Sequence, residues 1–190
     1  MYSFFAMISR MKYIKRWALM RNSRDETVSE HSLEVAILAH ALATLGNKRL
    51  GKKLPADRAA LLGLFHDCTE ILTGDMPTPV KYRDSRIRSA YKEVEEEAAD
   101  KLICMLPEDL REEYEPLLKP EEDTYLWRLV KAADTLSALI KCMEEEKAGN
   151  REFFVAGQST RQKLRELQLA EVDLFMEDFA GSYEKSLDEL

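Results

Sequence analysis

Three histidines stand in the 190-residue chain, and two of them have neighbours able to share a metal ion. His66 is followed directly by Asp67, and Glu70 lies one helical turn further on. Upstream, His31 falls on the face that apolar spacing turns inward, and downstream Asp134 interrupts an apolar helical run. Burying a histidine beside an aspartate is costly unless both find partners, and one divalent cation is a partner for both. Two imidazoles and two carboxylates suit zinc, manganese, cobalt or iron rather than calcium, with further coordination positions left for water and substrate. His40 is excluded, because a separation of nine residues at about 100° per residue turns it to roughly the opposite helix face from His31. With so few imidazoles left, one ion is expected rather than two. Asp134 taken alone also fits a salt-bridged helix aspartate with Lys131 as its partner.

The elements that must position these residues are helical. Apolar residues recur at helical spacing almost throughout and no run alternates with period two, which predicts an all-α helical bundle in a single domain over 1–190. A first helix is expected near 2–11, followed by the basic and aromatic element Lys15-Arg16-Trp17. Thr27-x-x-Glu30 has the form of a capping box, opening a helix with the inward stripe Val28, His31, Val35, Leu38, Leu42 and Leu45 that stops at Gly46. A third helix, about 56–72, carries His66-Asp67 and ends in a loop over 73–79, where Gly74, Pro77 and Pro79 oppose helix. Helices over about 84–105, 107–118 and 122–147 follow, the first with the outward acidic block Glu93, Glu95, Glu96 and Glu97. The last is expected to start at Ser159-x-x-Gln162 and run to Phe179.

Charge narrows the class of function. The chain carries a formal −7, which argues against a general binder of nucleic-acid polymers. Residues 1–24 nevertheless hold Arg10, Lys12, Lys15, Arg16, Arg21 and Arg24 with no acid, a local +6 that would attract a small anion. The pattern has something of a mitochondrial presequence, but the chain reads as a cytoplasmic protein with no membrane span. Cys68, Cys104 and Cys142 are odd in number and lack CxxC spacing, so neither disulfides nor a thiolate zinc site is expected, and all three read as small core residues.

The order His31 … His66-Asp67 … Asp134 resembles the H…HD…D pattern of the HD-domain metal-dependent phosphohydrolases. The wider context, Lys15-Arg16-Trp17, Val28-Ser29-Glu30-His31-Ser32, His66-Asp67-Cys68-Thr69-Glu70, Thr73 to Tyr82 and Lys131-Ala132-Ala133-Asp134, is similar to the bacterial 5′-deoxynucleotidases of the YfbR type. That resemblance implies an all-α HD fold, homodimers, and hydrolysis of deoxyribonucleoside 5′-monophosphates with selectivity against ribonucleotides. It implies metal ligands at His31, His66, Asp67 and Asp134 for one divalent ion per subunit, cobalt or manganese ahead of zinc, copper or iron. On this basis Arg16 would clamp the phosphate, Glu70 would manage protons on the attacking water or the leaving 5′-oxygen, and Asp67 would take part in catalysis. His31, Asp67 and Asp134 would also face the substrate. Trp17 would pack on the sugar, Asp75 would accept from the 3′-hydroxyl, and Met76, Pro77 and Thr78 would complete the pocket. The rival readings are an HD hydrolase of triphosphates, cyclic nucleotides or alarmones, and a helical interaction module without catalysis.

Overall fold

The structure, a computed structural model, describes residues 1–81 and 84–190, the side chains of Thr78 and Pro79 excepted. The helices run α1 (Phe4–Ile8), α2 (Val28–Arg49), α3 (Ala56–Phe65), α4 (Glu70–Thr73), α5 (Thr78–Lys81), α6 (Ser85–Cys104), α7 (Glu108–Leu118), α8 (Tyr125–Lys147), α9 (Phe154–Glu166) and α10 (Ala170–Asp178). Short 3₁₀ turns cover Ser9–Tyr13, Arg151–Phe153, Ala180–Glu184 and Leu187–Glu189. Among the described residues there is no strand, only an isolated antiparallel bridge between Lys15 and Thr27. No helix among them is long and apolar enough to cross a membrane.

Local chemistry sets the starts of the site-bearing helices. The Thr27 hydroxyl accepts from the Glu30 amide while the Glu30 carboxylate accepts from the Thr27 amide, so the expected capping box opens α2. Thr124 caps α8 by accepting from the Trp127 amide at 3.2 Å, and Asp84 caps α6 through the Arg86 and Ile87 amides. The predicted inward stripe of α2 is buried throughout, His31 included. α2 is the central element, packed against α3 on one side and α8 on another, with α9 and α10 completing one apolar core.

The approach of α2 to α3 depends on Gly63, where a Cβ would stand 2.8 Å from the Ala36 Cα and 2.9 Å from its nitrogen. Backbone cannot swing aside as a side chain can. Gly63→Ala is therefore expected to lower the melting temperature despite the better helix propensity of alanine, because overpacking against a neighbour costs about 1–3 kcal/mol or more. A thermal melt of the variant checks this.

Several expected boundaries differ from those observed. α2 continues past Gly46 to Arg49, because Gly46 is a packing glycine whose Cβ would meet Glu171 Oε1 at 2.8 Å. The positive φ that ends the segment is at Gly51. The expected helix 56–72 breaks after Phe65, and the expected loop over 73–79 turns helical again at Thr78. The single C-terminal helix is two, and Ser159 lies inside α9 with its hydroxyl on the Ala156 carbonyl rather than at a cap. The break between them passes through Gln168, at φ +51°. Cys68 and Cys142 are buried as expected, but Cys104 at the end of α6 is exposed.

Candidate metal centre and active site

The break after Phe65 makes the site. Across residues 65–71 the amides bond three residues back, Cys68 to Phe65 at 3.0 Å, Glu70 to Asp67 at 3.0 Å and Ile71 to Cys68 at 3.3 Å. The chain leaves the regular α-helical pattern here and turns through 66–69 before α4 begins. His66 Nε2 stands 3.0 Å from Asp67 Oδ2. From α2, His31 Nε2 reaches within 3.5 Å of Asp67 Oδ2 and 3.2 Å of Asp134 Oδ1 on α8. One ligand atom from each of His31, His66, Asp67 and Asp134 lies within 4.8 Å of all the others. Ligand atoms opposite each other around an ion bonded at about 2.1 Å stand roughly 4.2 Å apart, so the group needs to contract by only a few tenths of an ångström to hold one.

The hydrogen bonds behind the imidazoles support that fit. His66 Nδ1 donates to the Gly63 carbonyl at 2.8 Å, leaving the Nε2 lone pair facing the cluster. The Ser137 hydroxyl donates to Glu34 at 2.5 Å, so its oxygen accepts from His31 Nδ1 at 3.0 Å and orients that ring in the same tautomer. Both Nε2 atoms are buried, and neither makes a directed hydrogen bond despite the nearby carboxylates. Burial opposes ionisation of Asp67, yet His66 beside it holds its carboxyl well below the usual range. Asp134 is likewise held low, with His31 and Lys131 outweighing burial. Burial and Arg16 work against charge on His31, but its contacts with Asp134 and Glu26 raise its pKa. Two carboxylates kept ionised beside two imidazoles whose buried Nε2 atoms face the same point form a donor set matched to a divalent cation. The alternative partner of Asp134 is present too, since Lys131 Nζ lies 3.8 Å from Oδ2 while spanning the Trp127 ring. His40 is half-exposed and lies 3.9 Å from Asp57, away from the cluster.

Among the described residues, Arg16 is the one of the six N-terminal cations that joins this cluster. Its Nη1 is 3.3 Å from Asp67 Oδ2 and 3.9 Å from Asp75 Oδ1, and its Nε is 3.7 Å from Glu26 Oε1. Lys15 pairs with Asp25, Arg24 with Glu30, and Arg10 and Lys12 lie over the Tyr13 ring. Trp17 follows at φ +57° with its ring on Phe153, centroids 5.3 Å apart. Asp75 is brought to Arg16 by the loop after α4, which Tyr91 holds by donating to the Gly74 carbonyl or the Thr73 hydroxyl at 3.2 Å. Met76 and Pro77 follow in that loop, half-buried, and the side chain of Thr78 lies outside the described residues.

The segment bearing Arg16 and Trp17 is tied down from α8. Glu145, 1% exposed, accepts from the Ser23 amide at 2.9 Å and from Asn150 at 2.8 Å, and pairs with Lys141, which itself donates to the Arg24 carbonyl at 2.7 Å. Burial would raise its carboxyl, but Lys141, Asn150 and Ser23 hold it down at about 2 from an ordinary 4.5. A depressed acid stabilises the fold above its unfolded pKa and loses that contribution as pH falls through the folded one. Between about pH 4.5 and 2 the protein should lose roughly 3 kcal/mol from this group. Denaturant unfolding of Glu145→Gln against the parent across that window should show the parent's extra pH dependence vanish.

Glu70 opens α4 and is 5% exposed, with Oε2 lacking a hydrogen bond. Burial first, then the charges of Asp67 and Asp75, push its carboxyl up to about 10, with Arg16 and Lys81 acting the other way. Three residues of the surrounding network carry no signal at the level of motifs: Glu26, Glu34 and Ser137. Glu34 stands one turn after His31, and that spacing was the available hint.

The model of a family described as 5′-deoxynucleotidase YfbR-like matches residues 3–183. The 5′-deoxynucleotidase YfbR of Escherichia coli is 50% identical over 190 residues, covering 98% of this chain and 94% of that one. A 5′-deoxynucleotidase of Klebsiella pneumoniae is 48% identical over 192 residues with the same coverage. Among solved structures, an HD-domain phosphohydrolase from Listeria innocua aligns with a TM-score of 0.84 at 24% identity, over 95% of this chain and 88% of that one. The cyanophage S-2L HD phosphohydrolase, solved bound to dA and one catalytic Zn²⁺ ion, aligns with a TM-score of 0.67 at 18% identity, over 95% and 96%. These structural likenesses bear on the fold, which is that of the HD-domain phosphohydrolases. Together with the near full-length matches, they establish that the chain belongs to the 5′-deoxynucleotidase YfbR-like family.

Proposed function

We propose that this protein hydrolyses deoxyribonucleoside 5′-monophosphates to deoxyribonucleoside and phosphate, discriminating against ribonucleotides, with one divalent cation held by His31, His66, Asp67 and Asp134. The observation that carries the reading is the convergence of those four side chains with two buried, unbonded Nε2 atoms, in a chain 50% identical to a named 5′-deoxynucleotidase. A bound cation of this kind, cobalt or manganese in our reading, supplies Lewis-acid polarisation and a water acidified toward neutral pH.

The chain's own residues do the rest. Arg16 gives the phosphate a planar, permanently charged fork and exchanges Asp67 for phosphate oxygens. Glu70, buried with an unbonded oxygen, holds a proton and passes it to the leaving 5′-oxygen. Trp17 packs on the sugar, Asp75 accepts from the 3′-hydroxyl, and the Met76-Pro77-Thr78 segment closes the pocket, so a 2′-hydroxyl finds neither room nor partner. In the same reading the protein is a cytoplasmic homodimer. Support for self-association comes from the exposed Leu33 and Ile37 of α2 and Leu61 and Leu64 of α3, which the contacts of Gly63 with Ala36 and of His40 with Asp57 set side by side.

Phosphate release from deoxy- and ribonucleoside monophosphates, dATP and cyclic AMP, with each divalent ion and with none, tests this reading. Release from deoxymonophosphates alone, and only with metal, is expected; preferred cleavage of dATP or cyclic AMP would replace it with one of the other HD activities. In the same assay Arg16→Ala should raise KM and weaken inhibition by inorganic phosphate about 10- to 100-fold, the cost of a charge-assisted pair of hydrogen bonds.

A further inference from the structure

Glu26 lies in the loop before α2, remote in sequence from every metal ligand except His31, yet its carboxylate touches three site residues at once. Oε2 accepts from the Trp17 indole Nε1 at 2.7 Å. Oε1 stands 3.7 Å from Arg16 Nε and 3.5 Å from His31 Nδ1. The side chain is 13% exposed. Burial would raise its pKa, but the contacts with His31, Arg16 and Trp17 keep it below the ordinary value.

The backbone of the loop has closing hydrogen bonds of its own. The Arg16 amide bonds the Glu26 backbone carbonyl at 2.9 Å and the Val28 amide bonds the Ile14 carbonyl at 2.9 Å, which together close the bridge between Lys15 and Thr27. Glu145 separately anchors the Ser23 end. What the Glu26 carboxylate adds is orientation. Trp17 sits in the left-handed region that bulky residues rarely adopt, so its backbone is held there by the surrounding contacts. The Phe153 ring restrains it on one side, and the indole N–H is fixed by Glu26.

We infer that Glu26 is a positioning residue that sets selectivity between deoxyribose and ribose: one oxygen locks the Trp17 ring that walls the sugar, and the other aligns Arg16 with the phosphate. This rests on the substrate reading above. The two oxygens make the roles separable. Glu26→Gln keeps a carbonyl oxygen for the indole N–H but removes the charge facing Arg16, whereas Glu26→Ala removes both.

The test compares parent, Glu26→Gln and Glu26→Ala by acrylamide quenching of Trp17 emission, assigned by its loss in Trp17→Phe, and by kcat/KM on paired deoxy- and ribonucleoside monophosphates. Glu26→Ala should expose Trp17 to quencher and lower the deoxy-to-ribo ratio about tenfold, the loss of roughly one hydrogen bond's worth of positioning. Glu26→Gln should keep the parent's quenching and hold the ratio within about twofold, while KM rises several-fold. Glu26→Asp, drawn back by one methylene, should follow Glu26→Ala in quenching and ratio, so the outcome survives poor folding of the alanine variant. Unchanged quenching and ratio in both Glu26→Ala and Glu26→Asp would overturn the inference, as would a Glu26→Gln that loses selectivity as fully as alanine. A parent that does not distinguish the sugars would instead overturn the substrate reading, and the quenching comparison would then decide whether Glu26 holds Trp17.

Discussion

Asp67→Ala is expected to give a folded protein that no longer binds a stoichiometric divalent ion and turns over at least about a thousandfold more slowly. Asp67 Oδ2 is the common neighbour of both imidazoles and of Arg16, at 3.0 Å from His66, 3.5 Å from His31 and 3.3 Å from the guanidinium. Removing it takes away one of the four proposed ligands and a carboxylate that pairs with Arg16. Metal-assisted charge stabilisation is worth several kcal/mol, and each 1.36 kcal/mol is tenfold in rate, which sets the scale of the loss. The fold should persist, because the core of α2, α3 and α8 packs behind the site and Asp67 itself lies in a turn. Metal content after gel filtration, circular dichroism and steady-state rates are the measurements. A variant that kept one ion per chain would mean that the donor set is wrong, whatever its activity.

Glu70→Gln is the second large effect, and it separates from the first. Its kcat should fall by about 10² to 10⁴, the range of a lost proton-transfer group, with metal content unchanged. Glutamine copies the shape of the protonated carboxyl but has no acidic proton to give. The stability consequence runs opposite to the activity. An acid whose pKa is raised on folding, here from 4.5 up to about 10, binds its proton more tightly in the folded state. Metal-free protein should therefore lose stability as pH rises from about 4.5 toward 10, and Glu70→Gln should remove part of that decline. A slower enzyme that resists alkaline unfolding better than its parent is the expected result, the trade-off of a buried carboxyl kept for the proposed chemistry. Unaltered kcat would remove Glu70 from the chemistry.

How much of this was legible beforehand depends on the range of the interactions involved. The inward position of His31, the capping box at Thr27 and Glu30, and the exclusion of His40 follow from helical period and from hydrogen bonds spanning three residues, so a linear reading recovers them. The grouping of His31, His66, Asp67 and Asp134 rests on the inward His31, the doublet, the Asp134 that interrupts an apolar run and the resemblance to the HD-domain pattern, and the fold brings ligand atoms of the four within 4.8 Å of one another. Other features depend on contacts between distant segments. The expected helix through residue 72 is interrupted by a turn over 66–69, which carries no glycine or proline to announce it. Gly46 reads locally as a stop, but packing against Glu171, 125 positions away, makes it a helix interior. Of the basic N-terminal stretch, the bridge to Thr27 and the buried Glu145 bring Arg16 to the cluster while its neighbours pair at the surface. Glu26, Glu34 and Ser137 look like ordinary polar residues of a loop and two helices until folding encloses them. Periodicity and capping are written within a few residues of chain, whereas the burial that gives a carboxylate its partners, its pKa and its task exists only once remote segments have met.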